Sequence, residues 1–281
     1  MTISNAQSGL AAAPYAVAHA SRYTRMGLAL ASGALLAGCT AIPNPTPDDP
    51  WESYNRSMYT VNDALDRAIL KPIATGYETI TPKPVRTCVH NIFNNLSDVW
   101  SAINSFIQGR GHDFVNTFGR ILFNTTMGLG GCIDVASMNG ARRIPNDFGV
   151  TLGVWGFGPG PYVVLPLLGP STARDGIGTA ISLASPISPT AFIFAIDDVP
   201  VRNSIVGLYF IDVRANLLDA DKLVDQIALD KYSFIRDAYL QRRRAMVQSR
   251  RQGSAAVGES GVTNHSQDAL PDYSLPDYSD E

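Results

Sequence analysis

The sequence has little charge between residues 148 and 196. No charged residue occurs from Phe148 to Ala173, and only Arg174 and Asp175 interrupt the uncharged run that continues to Ile196. A charge-free stretch of this length is typical of a membrane-spanning helix. A single spanning helix is excluded here, because helix-breaking residues recur through the stretch: Gly153, Gly156, Gly158, Pro159, Gly160, Pro161, Pro166, Gly169 and Pro170.

Two interpretations of this charge-poor region stay open. It could form the buried core of a globular domain, although 148–196 is a long uncharged stretch for a body of this size. In lipid, broken backbone is tolerated only where protein buries it or where it lines a water-filled cavity. We therefore predict that the region forms the wall or lip of a lipid-facing passage.

Sequence signatures of the common catalytic and nucleotide-binding sites are also missing. The chain has no G-x-S-x-G of an α/β-hydrolase, no G-x-G-x-x-G and no P-loop lysine. Only His90, His112 and His265 follow the leader, so a lipid hydrolase with a convergent triad stays open as a rival on the first two. No enzymatic activity, cofactor or metal is predicted.

The N-terminus reads as a lipoprotein signal peptide, residues 1–38. Arg22 and Arg25 precede a short apolar run from Leu28 to Leu36, which is too short to span a bilayer. The run ends in Leu-Ala-Gly-Cys, so Cys39 is the predicted lipid-attachment site. A proline-rich linker, 39–50, follows it. An ordinary signal peptide with a chance cysteine is the alternative.

Net charge argues against a nucleic-acid partner. The leader contains the cations Arg22 and Arg25 and no acidic residue, so its removal lowers the formal net charge from −3 to −5. The remaining chain is long enough for one domain with a sizeable core. We place this domain at 51–247.

Cys88 and Cys132 are the other cysteines of the chain. In an oxidising compartment they could form a disulfide, and the alternative is two buried free thiols. A metal site that adds His90 and His112 is disfavoured, because Cys88 and His90 would not face the same side of a helix. The disulfide is the hypothesis to test.

Hydrophobic periodicity predicts helices over 51–70, 84–109, 112–127, 199–218 and 221–247. Pro72 is expected to end the first and Gly109 the second. No convincing alternating strand occurs. The segment PYVVLPLL (161–168) is apolar enough for a buried strand, but its prolines argue against one. The cluster Arg242–Arg244 is interpreted as a solvated helix end, and a lipid-headgroup site is the alternative. The acidic tail, 248–281, is predicted to be disordered.

Several motifs together resemble one lipoprotein family. They cover 49–247 and are DPWESYNRSMY (49–59), KPIA (71–74), NIFNNL (91–96), INSFIQG (103–109), GRILFNT (119–125), GLGGCIDVA (128–136), DFGVTLG (147–153), GPGPYVVLP (158–166), GPSTARD (169–175) and RANLLD (214–219). Each is weak alone, but the combination is similar to the MlaA (VacJ) family of Gram-negative outer-membrane lipoproteins.

The resemblance implies an all-α, ring-shaped domain embedded in the periplasmic leaflet of the outer membrane, with a Gly/Pro-rich hairpin and a central amphipathic channel. It implies a trimeric porin as neighbour. It also implies that phospholipid astray in the outer leaflet passes to a soluble MlaC-like periplasmic carrier, which preserves lipid asymmetry. A porin-associated structural lipoprotein without a passage is the alternative.

The segment GFGPG (156–160) is predicted to be a movable hairpin on the passage. Gly156, Gly158 and Gly160 alternate with bulkier residues, and glycine enters positive φ at little steric cost. The resemblance places a hinge at the same three glycines. A fixed tight turn is the alternative.

Four further residues are candidate channel or headgroup contacts. Phe157 and Tyr162 flank the glycines and could touch acyl chains. Arg174 and Asp175 are more simply explained as a local ion pair or a helix N-cap. In a functional role, Arg174 would hold a headgroup phosphate at the rim of the passage.

Overall fold

A computed structural model of the chain describes residues 46–259, with side chains up to residue 253. The predicted signal peptide, Cys39, most of the linker and the tail from residue 260 lie outside the described residues. The prediction of an all-α fold is confirmed. The helices are α1 (Glu52–Leu65), α2 (Lys71–Ile80), α3 (Lys83–Ile107), α4 (Gly111–Thr126), α5 (Val135–Met138), α6 (Phe148–Val154), α7 (Ala173–Ala184), α8 (Pro189–Phe194), α9 (Val199–Ala215), α10 (Leu218–Ile227) and α11 (Lys231–Glu259).

A π-helical turn at Asp66–Leu70 joins α1 and α2 into one helical segment. The prediction that Pro72 ends the first helix is therefore wrong. The amide of Lys71 donates to the carbonyl of Asp66, five residues back instead of four. The regular α-helical hydrogen-bond pattern is therefore already interrupted just before Pro72, which has no amide hydrogen to donate. Pro72 lies in the first turn of α2, where a missing amide hydrogen costs little.

A helical hairpin is formed by α3 and α4, and the turn between them follows the predicted glycine signal. Gly109 has φ +72°, a left-handed conformation that commonly terminates helices. Across the turn, the rings of Phe106 and Phe114 lie with centroids 5.4 Å apart. Cys88 in α3 is bonded to Cys132 in the turn that follows α4, with an S–S distance of 2.11 Å.

Two short strands, β1 (Tyr162–Leu165) and β2 (Gly169–Thr172), pair antiparallel. The expectation that 161–168 contains no strand is therefore wrong. Proline is tolerated because a two-stranded sheet has only edge strands, and Pro166 lies in the connecting turn. The hairpin is thus 162–172, whereas 156–160 is the loop that joins α6 to β1.

Asn55 fastens α1 to β1. Its Nδ2 donates to the Tyr162 carbonyl at 3.0 Å, and its Oδ1 accepts from the Val164 amide at 2.8 Å. The same Nδ2 donates to Asp49 at 2.8 Å, and the side chain is fully buried. The amide therefore satisfies the outer edge of β1 in place of a third strand. Sequence reasoning found Asn55 in a motif but gave it no role.

The C-terminal helices differ from the prediction in two ways. Residues 228–230 separate α10 from α11, so the predicted helix over 221–247 is two helices. The helix α11 then continues to Glu259, so the prediction of a disordered tail from 248 is wrong as far as 259. Contacts with the body hold the helix in place as far as 251, since Arg250 donates to the Pro145 carbonyl and Arg251 to the Gly153 carbonyl, both at 3.2 Å.

Candidate functional site

The helix α4 has an inverted distribution of polar and apolar residues. Its buried side chains are all polar and recur at steps of three and four residues: Asp113, Thr117, Arg120 and Asn124. Its exposed face carries large apolar side chains: Val115, Phe118, Leu122 and Phe123. A water-soluble domain places these two sets the other way round.

The same inversion extends through the described residues. The buried residues of α3 are polar except for Ala102: Asn95, Asp98, Ser101, Asn104 and Ser105. Buried polar and charged residues outnumber buried apolar ones across 46–253. Exposed apolar residues occur on almost every helix, for example Val61, Ile80, Phe106, Phe118, Phe192 and Phe210. Apolar surface on this scale fits a lipid or protein environment rather than water.

One helical stretch, Ala173–Phe194, is long and apolar enough to cross a membrane by length and composition alone, and only 11% of its window is buried. The chain leaves helical conformation at 185–188, which divides the stretch into α7 and α8. The stretch is therefore two short apolar helices, in agreement with the prediction that breakers prevent a single span.

A cavity of about 280 Å³ lies between α3, the segment before α6, the start of α8, and α11. Aromatic and cationic side chains line it together with Met246: Trp100, Tyr239, Arg143, Arg242 and Arg243. The volume is near the lower end of the range for small-molecule sites, roughly 300–1,000 Å³. It is therefore suited to a headgroup-sized ligand rather than a whole phospholipid.

Arg243 lines the cavity and pairs with two carboxylates, of which Asp147 also lines it. It donates to Asp175 from Nε at 2.9 Å and to Asp147 from Nη2 at 2.9 Å. Burial by itself would raise the pKa of the Asp147 carboxyl, but the hydrogen bonds from Arg243 outweigh it and hold that pKa below its usual value. The interpretation of Arg242–Arg244 as a solvated helix end is therefore wrong for its central residue.

Arg174 and Asp175 belong to this interior network. Arg174 donates to Asp175 from Nε at 3.0 Å, and both residues are buried. Thr172, rather than Asp175, caps α7 by accepting the Asp175 amide at 3.2 Å. The local ion pair expected from the sequence is present, and the structure does not place Arg174 at an exposed rim.

A second charged network includes Arg143, which also lines the cavity. Arg143 donates to Asp98 from Nε at 2.8 Å, and Arg120 donates to Asp134 from Nη2 at 2.8 Å. Arg120 also lies 3.4 Å from Asp98. Burial raises the pKa of Asp98, although both arginines oppose it. Sequence reasoning missed this network, and the polar stripe of α4 is the signal that could have found Arg120.

The glycine-rich segment is an exposed loop over 156–160. Gly156 and Gly160 have φ of +107° and +67°, whereas Gly158 has no positive φ. Phe157 is 59% exposed and available to an apolar ligand. The expectation that Tyr162 touches acyl chains is not met, because its ring is 1% exposed and packs among other tyrosines.

The four residues considered for a metal site do not form one. Cys88 and Cys132 are bonded to each other, and Nδ1 of His90 lies 2.9 Å from Oδ2 of Asp212. The His112 side chain is 84% exposed. Within residues 46–259, no group of three or more His, Cys, Asp or Glu residues could hold a metal ion.

Comparison with known proteins identifies relatives of the whole body. A family model described as MlaA lipoprotein matches residues 47–246. The intermembrane phospholipid transport system lipoprotein MlaA of Escherichia coli (strain K12) is 38% identical over 221 residues, which cover 76% of this chain and 85% of the relative. The protein of the same name from Haemophilus influenzae is 35% identical, over 76% of this chain and 86% of the relative.

A solved structure is similar in both sequence and fold. It comes from work described as "Structural basis for maintenance of bacterial outer membrane lipid asymmetry". Its chain is 35% identical to this one with a TM-score of 0.60, and the match covers 71% of this chain and 98% of the solved chain.

Proposed function

This chain belongs to the MlaA lipoprotein family, and from that membership together with its inverted burial pattern we propose that it is an outer-membrane lipoprotein that transports phospholipids and maintains lipid asymmetry. The inversion on α4 is the observation that supports this most directly. Its apolar face is suited to acyl chains, and its buried polar face is suited to a hydrated interior.

We further propose that the body is embedded in the periplasmic leaflet and is anchored there by acyl chains on Cys39. Exposed apolar residues on α7 and α8 support embedding, because together these helices are apolar but neither is long enough to span. Several acyl chains anchor stably where one chain binds only marginally. The lipid-facing surface and the anchor would then act on the same leaflet.

The proposed transport route runs through the polar interior. Misplaced phospholipid would leave the outer leaflet with its headgroup in the polar interior and would be handed to an MlaC-like periplasmic carrier. No covalent chemistry is required of the side chains. The loop 156–160 is exposed and glycine-rich, which suits a gate at the entrance.

A trimeric porin is the proposed neighbour in the membrane. The exposed apolar residues support a protein contact as well as a lipid contact, because interfaces of both kinds bury such surface. This observation also favours the second candidate function, a porin-associated structural lipoprotein that transports nothing. The two candidates differ in whether phospholipid moves.

Reconstitution tests the proposal. The lipidated protein is placed in vesicles that contain fluorescent phospholipid, a soluble periplasmic carrier is added, and phospholipid on the carrier is measured after the vesicles are removed. We expect transfer that depends on the protein. Porin binding without transfer would favour the structural candidate, and release of free fatty acid would favour the lipid hydrolase.

A further inference from the structure

Arg242 in the cavity between α3 and α11 has no ion-pair partner among the residues whose side chains the structure describes. Arg143 is paired with Asp98, and Arg243 with Asp147 and Asp175. Arg242 also lines the cavity and is exposed, and it forms no ion pair with any residue in 46–253.

The charges around the cavity otherwise balance. In one network the cations Arg120 and Arg143 face the anions Asp98 and Asp134. In the other, Arg174 and Arg243 face Asp147 and Asp175. The positive charge of Arg242 is thus left over, and it matches the single negative charge of a phosphodiester.

The indole of Trp100 also lines the cavity. Its Nε1 is closed to solvent and has no hydrogen-bond partner in the described part of the chain, so the indole presents carbon atoms to the cavity. Met246 and Pro145 supply further apolar wall.

We propose that this cavity binds the phosphodiester of a phospholipid, with the Arg242 guanidinium on the phosphate oxygens and the Trp100 indole as an apolar wall beside them. The planar guanidinium can donate two parallel hydrogen bonds to such a group. This assignment rests on the proposed transport function and identifies where the lipid headgroup would bind. The cavity volume of about 280 Å³ leaves the acyl chains outside, against the apolar surface.

Binding of a short-chain phosphatidylglycerol tests the site. Trp51 and Trp155 are replaced by Phe, so that the emission of Trp100 reports on the cavity alone. We expect Arg242→Gln to weaken binding about tenfold, as one charged hydrogen bond would, and Arg242→Lys to weaken it less. Arg244→Gln is the matched control, because Arg244 is exposed on the same helix, pairs with Asp48 and does not line the cavity.

Each outcome decides the assignment. Equal losses of affinity in Arg242→Gln and Arg244→Gln would mean that the anionic lipid is attracted by general positive charge, and would overturn the site. If inorganic phosphate competes as strongly as glycerophosphoglycerol, the cavity is a site for free phosphate, and the assignment of a lipid ligand is overturned. Competition by the diester alone supports the lipid.

The proposed function is tested separately by transfer from vesicles to the carrier. Normal binding and transfer by Arg242→Gln would overturn the cavity site and leave the transport function in place. Binding that depends on Arg242 in a protein that transfers no phospholipid would support the cavity site and contradict the transport function.

Discussion

Cys88 in α3 and Cys132 in the turn after α4 are joined by a disulfide, with Cα atoms 4.1 Å apart. The bond closes a loop of about 45 residues, which the chain-entropy model values at about 4 kcal/mol. We expect Cys88→Ser to lower the free energy of unfolding by about 2–4 kcal/mol. Denaturant unfolding with and without reductant measures the difference.

The double variant Cys88→Ser/Cys132→Ser is the control. Its free energy of unfolding should be little lower than that of either single variant, because the bond needs both sulfurs. Intact mass after alkylation of the native protein gives an independent answer. Two freely alkylated thiols in protein isolated from an oxidising compartment would show that the bond does not form.

Asn55 is expected to stabilise the fold by holding β1 against α1. Asn55→Ala leaves the Tyr162 carbonyl and the Val164 amide without their partners, so we expect a loss of about 2–4 kcal/mol. Ser57→Ala is the control on the same helix, since Ser57 is exposed and bonds only within it. The measurement is denaturant unfolding, and equal stabilities for the two variants would contradict the role of Asn55.

Local signals predicted the helices but not where their partners lie. The period of α3 and the glycine at 109 placed the helical hairpin correctly. Pro72 failed as a stop signal because a π turn, with hydrogen bonds between residues five apart, lets the helical segment continue through it. The β-hairpin was missed because Asn55, which satisfies its edge, lies more than 100 residues from it.

The candidate site was harder to predict because it depends on distant charges. Arg243 lies in a cluster of three arginines that looks solvated, and its carboxylate partners are 68 and 96 residues away. Periodicity also does not state which helix face is buried. On α4 the polar stripe that ends at Asn124 is buried and the apolar stripe is exposed. The same sequence pattern would also fit a helix with its apolar stripe buried.

Asp134 should make the stability of the fold sensitive to acid. Burial opposes ionisation, but hydrogen bonds from Ser137, Arg120 and Asn124 lower the pKa of its carboxyl from 3.8 to about 2. A group whose pKa is lowered by folding stabilises the protein above its unfolded pKa. We therefore expect a contribution of about 1–2 kcal/mol that is complete above pH ~4 and is lost as pH falls toward ~2.

Asp134→Asn tests this by removing the titrating group. Chemical unfolding at a series of pH values should show a smaller acid-induced loss of stability in the variant than in the parent. Asp237→Asn serves as control, because that carboxylate is largely exposed and pairs only with its neighbour Arg236. An unchanged pH dependence in Asp134→Asn would contradict the assignment.

Cys39 is predicted to carry the acyl chains that anchor the protein. We expect Cys39→Ala to give unlipidated protein that no longer maintains lipid asymmetry, because the anchor would be gone. Membrane fractionation and surface phospholipid in complemented cells are the measurements. The apolar helices could retain part of the protein, so function is the more sensitive readout. A variant that fractionates fully with the outer membrane and works normally would contradict lipidation at Cys39.

The loop 156–160 is predicted to move during transport, and its middle glycine is the best place to test this. A Cβ on Gly158 meets no atom within 4 Å, and its φ is not positive, so Gly158→Val fits the observed conformation. By contrast, Gly156 and Gly160 need positive φ, and a Cβ on Gly160 would approach the Ala173 Cβ at 3.0 Å. Only at Gly158 can loss of mobility be separated from loss of fold.

We expect Gly158→Val to leave circular dichroism and porin co-purification unchanged but to block removal of phospholipid from the cell surface, because valine restricts the backbone states that an open loop would use. Gly207→Val is the matched control, since a Cβ there also meets open space, within α9 and away from the loop. Gly156→Val and Gly160→Val should in addition lose stability, because they force strained backbone. Normal lipid clearance by Gly158→Val would mean that the loop is a fixed turn whose outer glycines only supply the φ angles it needs.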